Sequence, residues 1–168
     1  MNYVQMKKIS VLILFMGTVL FGQSDEKILI AKALDDWHAA ASSADFDTYF
    51  GLMTKDAVFI GTDATENWQR DEFINYAKPH FDKGRAWNFM AFERNIYLNS
   101  ETNFSWFDEL LDTQMKICRG SGVLKKVNGE WKIAHYVLSI AVPNENVDAL
   151  VKIKSEKDSL LMKQIRNK

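Results

Sequence analysis

Two side chains stand out as groups that could move a proton. Asp108, with Glu109 beside it, interrupts the apolar run from Phe104 to Asp112. His135 lies in the run from Trp131 to Val142, across from a stretch that holds Gly120 and Gly122. A carboxylate in mid-strand needs water, a partner or a task, because burying it alone is costly. Glycine within a strand marks a bend or a close approach by ligand or backbone. Carboxylate and imidazole are side chains that can take up or release a proton in a reaction. A plainer role fits the same residues. Asp108 and Glu109 would then form a solvated rim, or pair with Arg94 or Arg119, and His135 would only order a pocket. Both roles stay open at this stage.

Other chemistries find less support. His38, His80 and His135 are the three histidines, and they lie on separate segments without metal-ligand spacing, so no metal is expected. Neither a nucleotide-binding loop nor a serine triad is present, and no cofactor is expected. Cys118 is the one cysteine, which excludes an intramolecular disulfide, and its place in a strand points to burial. The chain has no basic patch, which argues against a nucleic-acid partner.

The segments that must position these groups begin with a hairpin. Asn128-Gly129 sits between two apolar, β-branched runs, and this dipeptide suits a two-residue turn with positive φ at both central positions. Counting outward from that turn sets Leu124 opposite Ile133, Gly122 opposite His135, Gly120 opposite Val137 and Cys118 opposite Ser139. Opposed residues share a sheet face. One face then carries Cys118, Gly120, Gly122 and His135 around a hollow. The other carries Tyr136, Leu138 and Ile140.

Earlier in the chain, Lys7 and Lys8 precede an apolar run from Ile9 to Phe21, followed by Gly22-Gln23-Ser24. This basic, apolar, small-residue order predicts a secretory signal peptide over residues 1–23, cleaved near Gly22 or Gln23, and a periplasmic or secreted product. The run falls short of the ~20 residues that span a bilayer, so no stable membrane anchor is expected after processing. Removing Lys7 and Lys8 from the 21 basic side chains leaves 19 against 22 acidic ones, a mildly acidic mature chain.

Asp25 to Ser43 reads as a helix with Ile30, Leu34, Trp37 and Ala41 at helical spacing, Trp37 toward the sheet and His38 half exposed at the stripe's edge. Asp45 caps a short second helix reaching Met53. Asp56 to Gly61 is a short strand, and Trp68 starts a helix that Pro79 ends or kinks. Long strands follow at Ala86–Leu98, Phe104–Asp112 and on either side of the hairpin. Residues 144–168 form a charged helical extension. Helices first, then meandering strands, define an α+β domain over residues 24–143, with N-terminal helices packed on the concave face of a curved antiparallel sheet.

From about Glu26 to Pro143 the chain resembles the SnoaL-like branch of the nuclear-transport-factor-2-like superfamily, which includes ketosteroid isomerase and scytalone dehydratase. The carrying segments are Ala57-Val58-Phe59-Ile60-Gly61-Thr62-Asp63, Trp106-Phe107-Asp108-Glu109-Leu110-Leu111-Asp112, Arg119-Gly120-Ser121-Gly122-Val123-Leu124 and Trp131-Lys132-Ile133-Ala134. The resemblance implies a cone with an apolar cavity and, often, a homodimer through the outer sheet face. It also implies departures. The isomerases carry an oxyanion-hole tyrosine on the first helix, whereas the helix read over Asp25 to Ser43 has none and the next tyrosine is Tyr49; the flanking tyrosines of the dehydratase are not identifiable. Three readings follow. One is a module binding a small apolar or aromatic molecule, with Trp37, Phe59, Trp87 and Trp106 as walls and Gly122 in the hollow. Another, implied by the enzymes of this fold, is a lyase or isomerase in which Asp108 takes a proton from carbon and His135 sets its protonation, in a cavity whose low polarity raises a carboxyl's proton affinity and strengthens hydrogen bonds to a developing enolate. A third is a structural homodimer with a self-filled core.

Overall fold

The structure, a computed structural model, describes residues 25–99 and 101–167. The expected signal peptide and its junction lie outside the described residues. Helix α1 runs over residues 25–42. It ends where Ala44 takes a positive φ of 55°, with the Asp45 amide donating to Ala40 O at 2.8 Å and the Ala44 amide to Ala41 O at 3.2 Å. This is the left-handed cap that glycine usually supplies. Asp45 then caps α2 (Phe46–Gly51), its Oδ1 accepting from Thr48 N at 3.0 Å.

Strand β1 (Met53–Ile60) leads through a loop to a short β2 (Asn67–Gln69), and α3 (Arg70–Phe81) follows. The helix expected from Trp68 therefore starts two residues later, because Asn67–Gln69 pairs with β1. Glu72 turns back to accept the Gln69 amide at 2.9 Å. Pro79 sits inside the last turn of α3, and the helix continues to Phe81. Four long strands then meander: β3 (Met90–Leu98), β4 (Phe104–Thr113), β5 (Lys116–Val127) and β6 (Glu130–Ile140). The strand expected from Ala86 begins at Met90, whose partner Asp112 is the last residue but one of β4. A 3-10 turn (Asn144–Asn146) and α4 (Val147–Arg166) close the chain, and α4 has no buried residue. No helix among the described residues is long and apolar enough to cross a membrane.

The sheet order is β2-β1-β6-β5-β4-β3. All pairs are antiparallel except β1–β6, which is parallel and joins Met53 to Ile133 and Ile60 to Val137. The fold is thus α+β with an open six-stranded sheet and the N-terminal helices on its inner face. Trp37, Tyr49, Phe59, Phe73 and Tyr136 form the centre of the core.

The hairpin turn is as read: Asn128 has φ 53° and Gly129 φ 86°, and Val127 pairs with Glu130. Leu124 also pairs with Ile133. Beyond it the register slips by one, because Ala134 is an extra residue without a partner. Val123 meets His135, Gly122 meets Tyr136, Gly120 meets Leu138 and Cys118 meets Ile140. A bulge inserts one residue into one strand, and with a period of two that exchanges the faces. The expected pairing of Gly122 with His135 is therefore corrected. So is the expected outer face, since Tyr136 and Leu138 are buried inside.

Candidate functional site

The bulge decides which groups look inward. His135 lies beside Val123 on the outer face, in one row with Trp106 and Tyr97. Alternation along β4 buries Ser105, Phe107, Glu109, Leu111 and Thr113, and so turns Asp108 outward. There Asp108 accepts a hydrogen bond from Asn95 Nδ2 at 3.1 Å and lies 3.9 Å from Arg119. The expected catalytic pair, Asp108 and His135, is thus absent from the interior. Trp106 is half exposed and stacks on Tyr97 at 5.7 Å, so it walls no inner cavity. The hollow at Gly122 is closed as well: a Cβ there would come 2.2 Å from His135 O and 3.0 Å from Phe107 Cε1. Trp37 is buried in the core, 4.8 Å from both Tyr49 and Tyr136.

The carboxylate that does face inward is Glu109, which is fully buried. Strand β3 brings Arg94 directly opposite it, and α1 brings His38, which is buried rather than half exposed. His38 Nε2 donates to Glu109 Oε1 at 2.7 Å, and Arg94 Nε donates to Oε2 at 2.8 Å. Arg94 Nη1 continues to Asp35 Oδ1 at 2.7 Å. The Tyr136 hydroxyl lies 3.4 Å from Glu109 Oε1. Burial alone would push the Glu109 carboxyl up. The hydrogen bond and charge of His38, followed by those of Arg94, outweigh burial and hold it below its ordinary value. Burial, with Glu109's negative charge second, pushes the Tyr136 phenol well above its ordinary value, so it stays neutral. A carboxylate–histidine pair therefore exists, built from Glu109 and His38. Alternation in the sequence does not single out this carboxylate, since Phe104, Trp106 and Leu110 share a face with Asp108 while Phe107 and Leu111 share one with Glu109.

Open space lies elsewhere. A pocket of about 170 Å³ opens at the end of the sheet where β2, the segment before β3 and the β4–β5 turn meet. Phe59, Trp68, Phe73, Tyr76, Trp87 and Phe89 form its walls, Leu138 and Met115 complete them, and Thr62, Glu66 and Gln114 supply the polar atoms. The rings brace one another. Phe59 stacks on Phe73 at 4.0 Å and Trp68 on Tyr76 at 4.4 Å. Of the expected ligand walls, Phe59 and Trp87 are here. A second cleft of about 250 Å³ is lined by Asp35, His38, Asn88, Phe89 and Met90 among others. Phe89 borders both spaces. Among the described residues no three His, Cys, Asp or Glu side chains are grouped as metal ligands would be.

An open, mixed sheet with helices on one face and a pocket at its end defines a protein of the NTF2-like fold, and solved structures agree. An NTF2-like protein of unknown function from Pseudomonas putida superimposes with a TM-score of 0.61 at 11% identity, over 73% of this chain and 92% of that one. A candidate dehydratase of the NTF2-like family from Streptomyces avermitilis gives 0.62 at 10% identity, over 72% and 99%. The association domain of C. elegans CaMKII gives 0.60 at 18% identity, over 71% and 98%. Within this fold the chain belongs to the SnoaL-like domain family, whose model matches residues 30–143. No curated protein matches the sequence.

Proposed function

We propose that this SnoaL-like protein binds a small apolar or aromatic molecule, about one ring in size, in the pocket at the open end of the sheet. The observation that carries this reading is the pocket's lining of stacked aromatic side chains. Its volume, about 170 Å³, matches the roughly 150 Å³ cavity that accepts benzene in an engineered core. Aromatic walls with a few placed polar atoms are the usual make-up of a ligand site. Trp68 and Trp87 make their own reporter. Titration with phenol should change the tryptophan emission and saturate. Thr62→Phe adds a ring at the rim and should weaken that binding at least ~10-fold, about 1.4 kcal/mol. No saturable response to one-ring aromatics from the wild type refutes the reading.

A second reading follows from one observation: Glu109 is held anionic against His38, and His38 also lines the cleft beside Phe89. A histidine so placed suits proton transfer in a lyase or isomerase, and the similar Streptomyces protein is described as a candidate dehydratase. Deuterium from solvent entering a bound carbonyl compound, and lost in His38→Gln, supports it. Absence of exchange in the wild type removes it.

Two further properties belong to the same proposal. The protein is exported by the N-terminal signal described above. It also pairs with a second copy through the outer sheet face, where Tyr97, Phe104 and Trp106 are exposed; such contiguous aromatic surface commonly marks an interface. One similar structure is itself an association domain. Trp106→Glu should convert dimers to monomers in sedimentation equilibrium while leaving the melting temperature of the monomer nearly unchanged. A monomeric wild type at high concentration rejects the dimer.

A further inference from the structure

The pocket at the open end of the sheet carries one charge. Among its lining residues Glu66 is the only ionisable side chain of either class, acid or base, apart from the phenol of Tyr76. No lysine, arginine or histidine nitrogen lies within ion-pair distance of Glu66 among the described residues. The carboxylate is nonetheless held in place. Its Oε2 accepts the Asp63 amide at 3.1 Å, and the loop is closed by Gly61 N donating to Glu66 O at 2.9 Å. The side chain lies across Gly61, where a Cβ would come 2.2 Å from Oε2. That glycine is required for close approach, because its φ is not in the left-handed range.

The loop's other acid, Asp63, is satisfied separately. The Thr65 hydroxyl and amide hold its carboxyl below the ordinary range, with Lys157 of α4 a lesser contributor. Asp63 is thus engaged by Thr65 within its own loop, while Glu66 has no cationic partner within ion-pair distance among the described residues. An anionic group at the end of a chamber of Trp, Tyr and Phe rings is the arrangement that recognises organic cations. Ring faces attract a cation through their quadrupoles, and a carboxylate takes its N–H donors.

We propose that the ligand of this pocket is an organic cation: a primary or methylated amine on a body of about one ring, its ammonium group on Glu66 and its apolar part against Trp68, Tyr76 and Trp87. This rests on the ligand-binding reading of the same pocket and narrows it.

The test compares benzylamine, protonated at neutral pH, with benzyl alcohol, its neutral near-isostere, by calorimetry or tryptophan fluorescence at low salt. Benzylamine should bind about tenfold more tightly to the wild type, a gap within the range for a cation on an aromatic site. Glu66→Gln should keep the Asp63 amide bonded and remove the preference. Gly61→Ala, which leaves the charge but displaces the carboxylate, should reduce the preference without abolishing benzyl alcohol binding. Unfolding curves of both variants check that the domain is intact. Equal affinity of the two compounds for the wild type, or a preference that survives Glu66→Gln, overturns the cation proposal and leaves the pocket reading standing. Failure of both compounds to bind overturns the two together.

Discussion

Glu109→Gln is expected to lower the unfolding free energy by about 3–5 kcal/mol, the range for breaking a buried ion pair on one side. The glutamine amide fits the space but carries no charge. Arg94, with 11% of its side chain exposed, would keep only Asp35 as a counter-ion, and the buried His38 would lose its carboxylate acceptor. Removing one of two carboxylates from a mostly buried guanidinium costs more than a missing neutral hydrogen bond. The control is to remove the whole set. Joint replacement of His38, Arg94 and Glu109 by leucine, methionine and leucine should recover most of the loss, since well-packed apolar substitutes often match a buried ion pair. Urea denaturation of the single and triple variants checks this. A loss under about 1 kcal/mol in Glu109→Gln would mean an ordinary surface pair.

The same carboxylate sets an acid limit. Its folded pKa is lowered by His38 and Arg94 against the opposing effect of burial. A group depressed on folding contributes stability that is fully present above its unfolded value, roughly 4.3. That contribution is lost as pH falls from there through the folded value. Wild-type stability should therefore drop steeply below about pH 4.3, and Glu109→Gln should flatten that part of the profile.

Gly122→Ala carries the second large effect, a loss of roughly 3 kcal/mol or somewhat more, the upper range for overpacking. The added methyl would meet His135 O at 2.2 Å, with Phe107 Cε1 at 3.0 Å behind it. A backbone carbonyl held in the β5–β6 ladder cannot step aside alone. Gly120→Ala is the informative comparison. Its methyl would meet the Tyr136 hydroxyl at 2.3 Å, the end of a side chain that can tilt. Gly120→Ala should therefore cost less than Gly122→Ala in thermal unfolding. A neutral Gly122→Ala would show that the strands are paired without the bulge at Ala134.

Much of the fold could be read because its signals are local. Asn128-Gly129 specified the turn, Asp45 the cap of α2, and Ile30, Leu34, Trp37 and Ala41 the buried stripe of α1. The bulge at Ala134 has no such mark. Ile133, Ala134 and His135 continue an unbroken strand pattern, and only the fit of Tyr136 beside Gly120 and Gly122 explains the slip. From that one residue came the exchange of His135 for Tyr136 on the inner face. Asp108 was misplaced for a different reason. Phe104, Trp106 and Leu110 share its face and are apolar, against Phe107 and Leu111 on the face of Glu109, so the pattern does not mark which side is buried. Arg94 had been considered as an ion-pair partner for this strand, and the structure brings it to Glu109. Of the four aromatic walls, Phe59 and Trp87 belong to the pocket. Trp37 and Trp106 show that aromatic spacing alone does not separate core, pocket and outer face.

The parallel pairing of β1 with β6 also governs how the molecule comes together. Met53–Ile60 is made early in synthesis, yet its neighbour on the inner side, Glu130–Ile140, is the last of the described strands to emerge. Closing so long a loop is entropically costly before any contact repays it, and such non-local pairing slows folding. A nascent chain halted before Glu130 would present two bare sheet edges at once, one on β1 and one on β5, where a stray strand could add. Assembly of this domain thus waits on its final hairpin, and the interval before that hairpin arrives is when the chain most needs a chaperone.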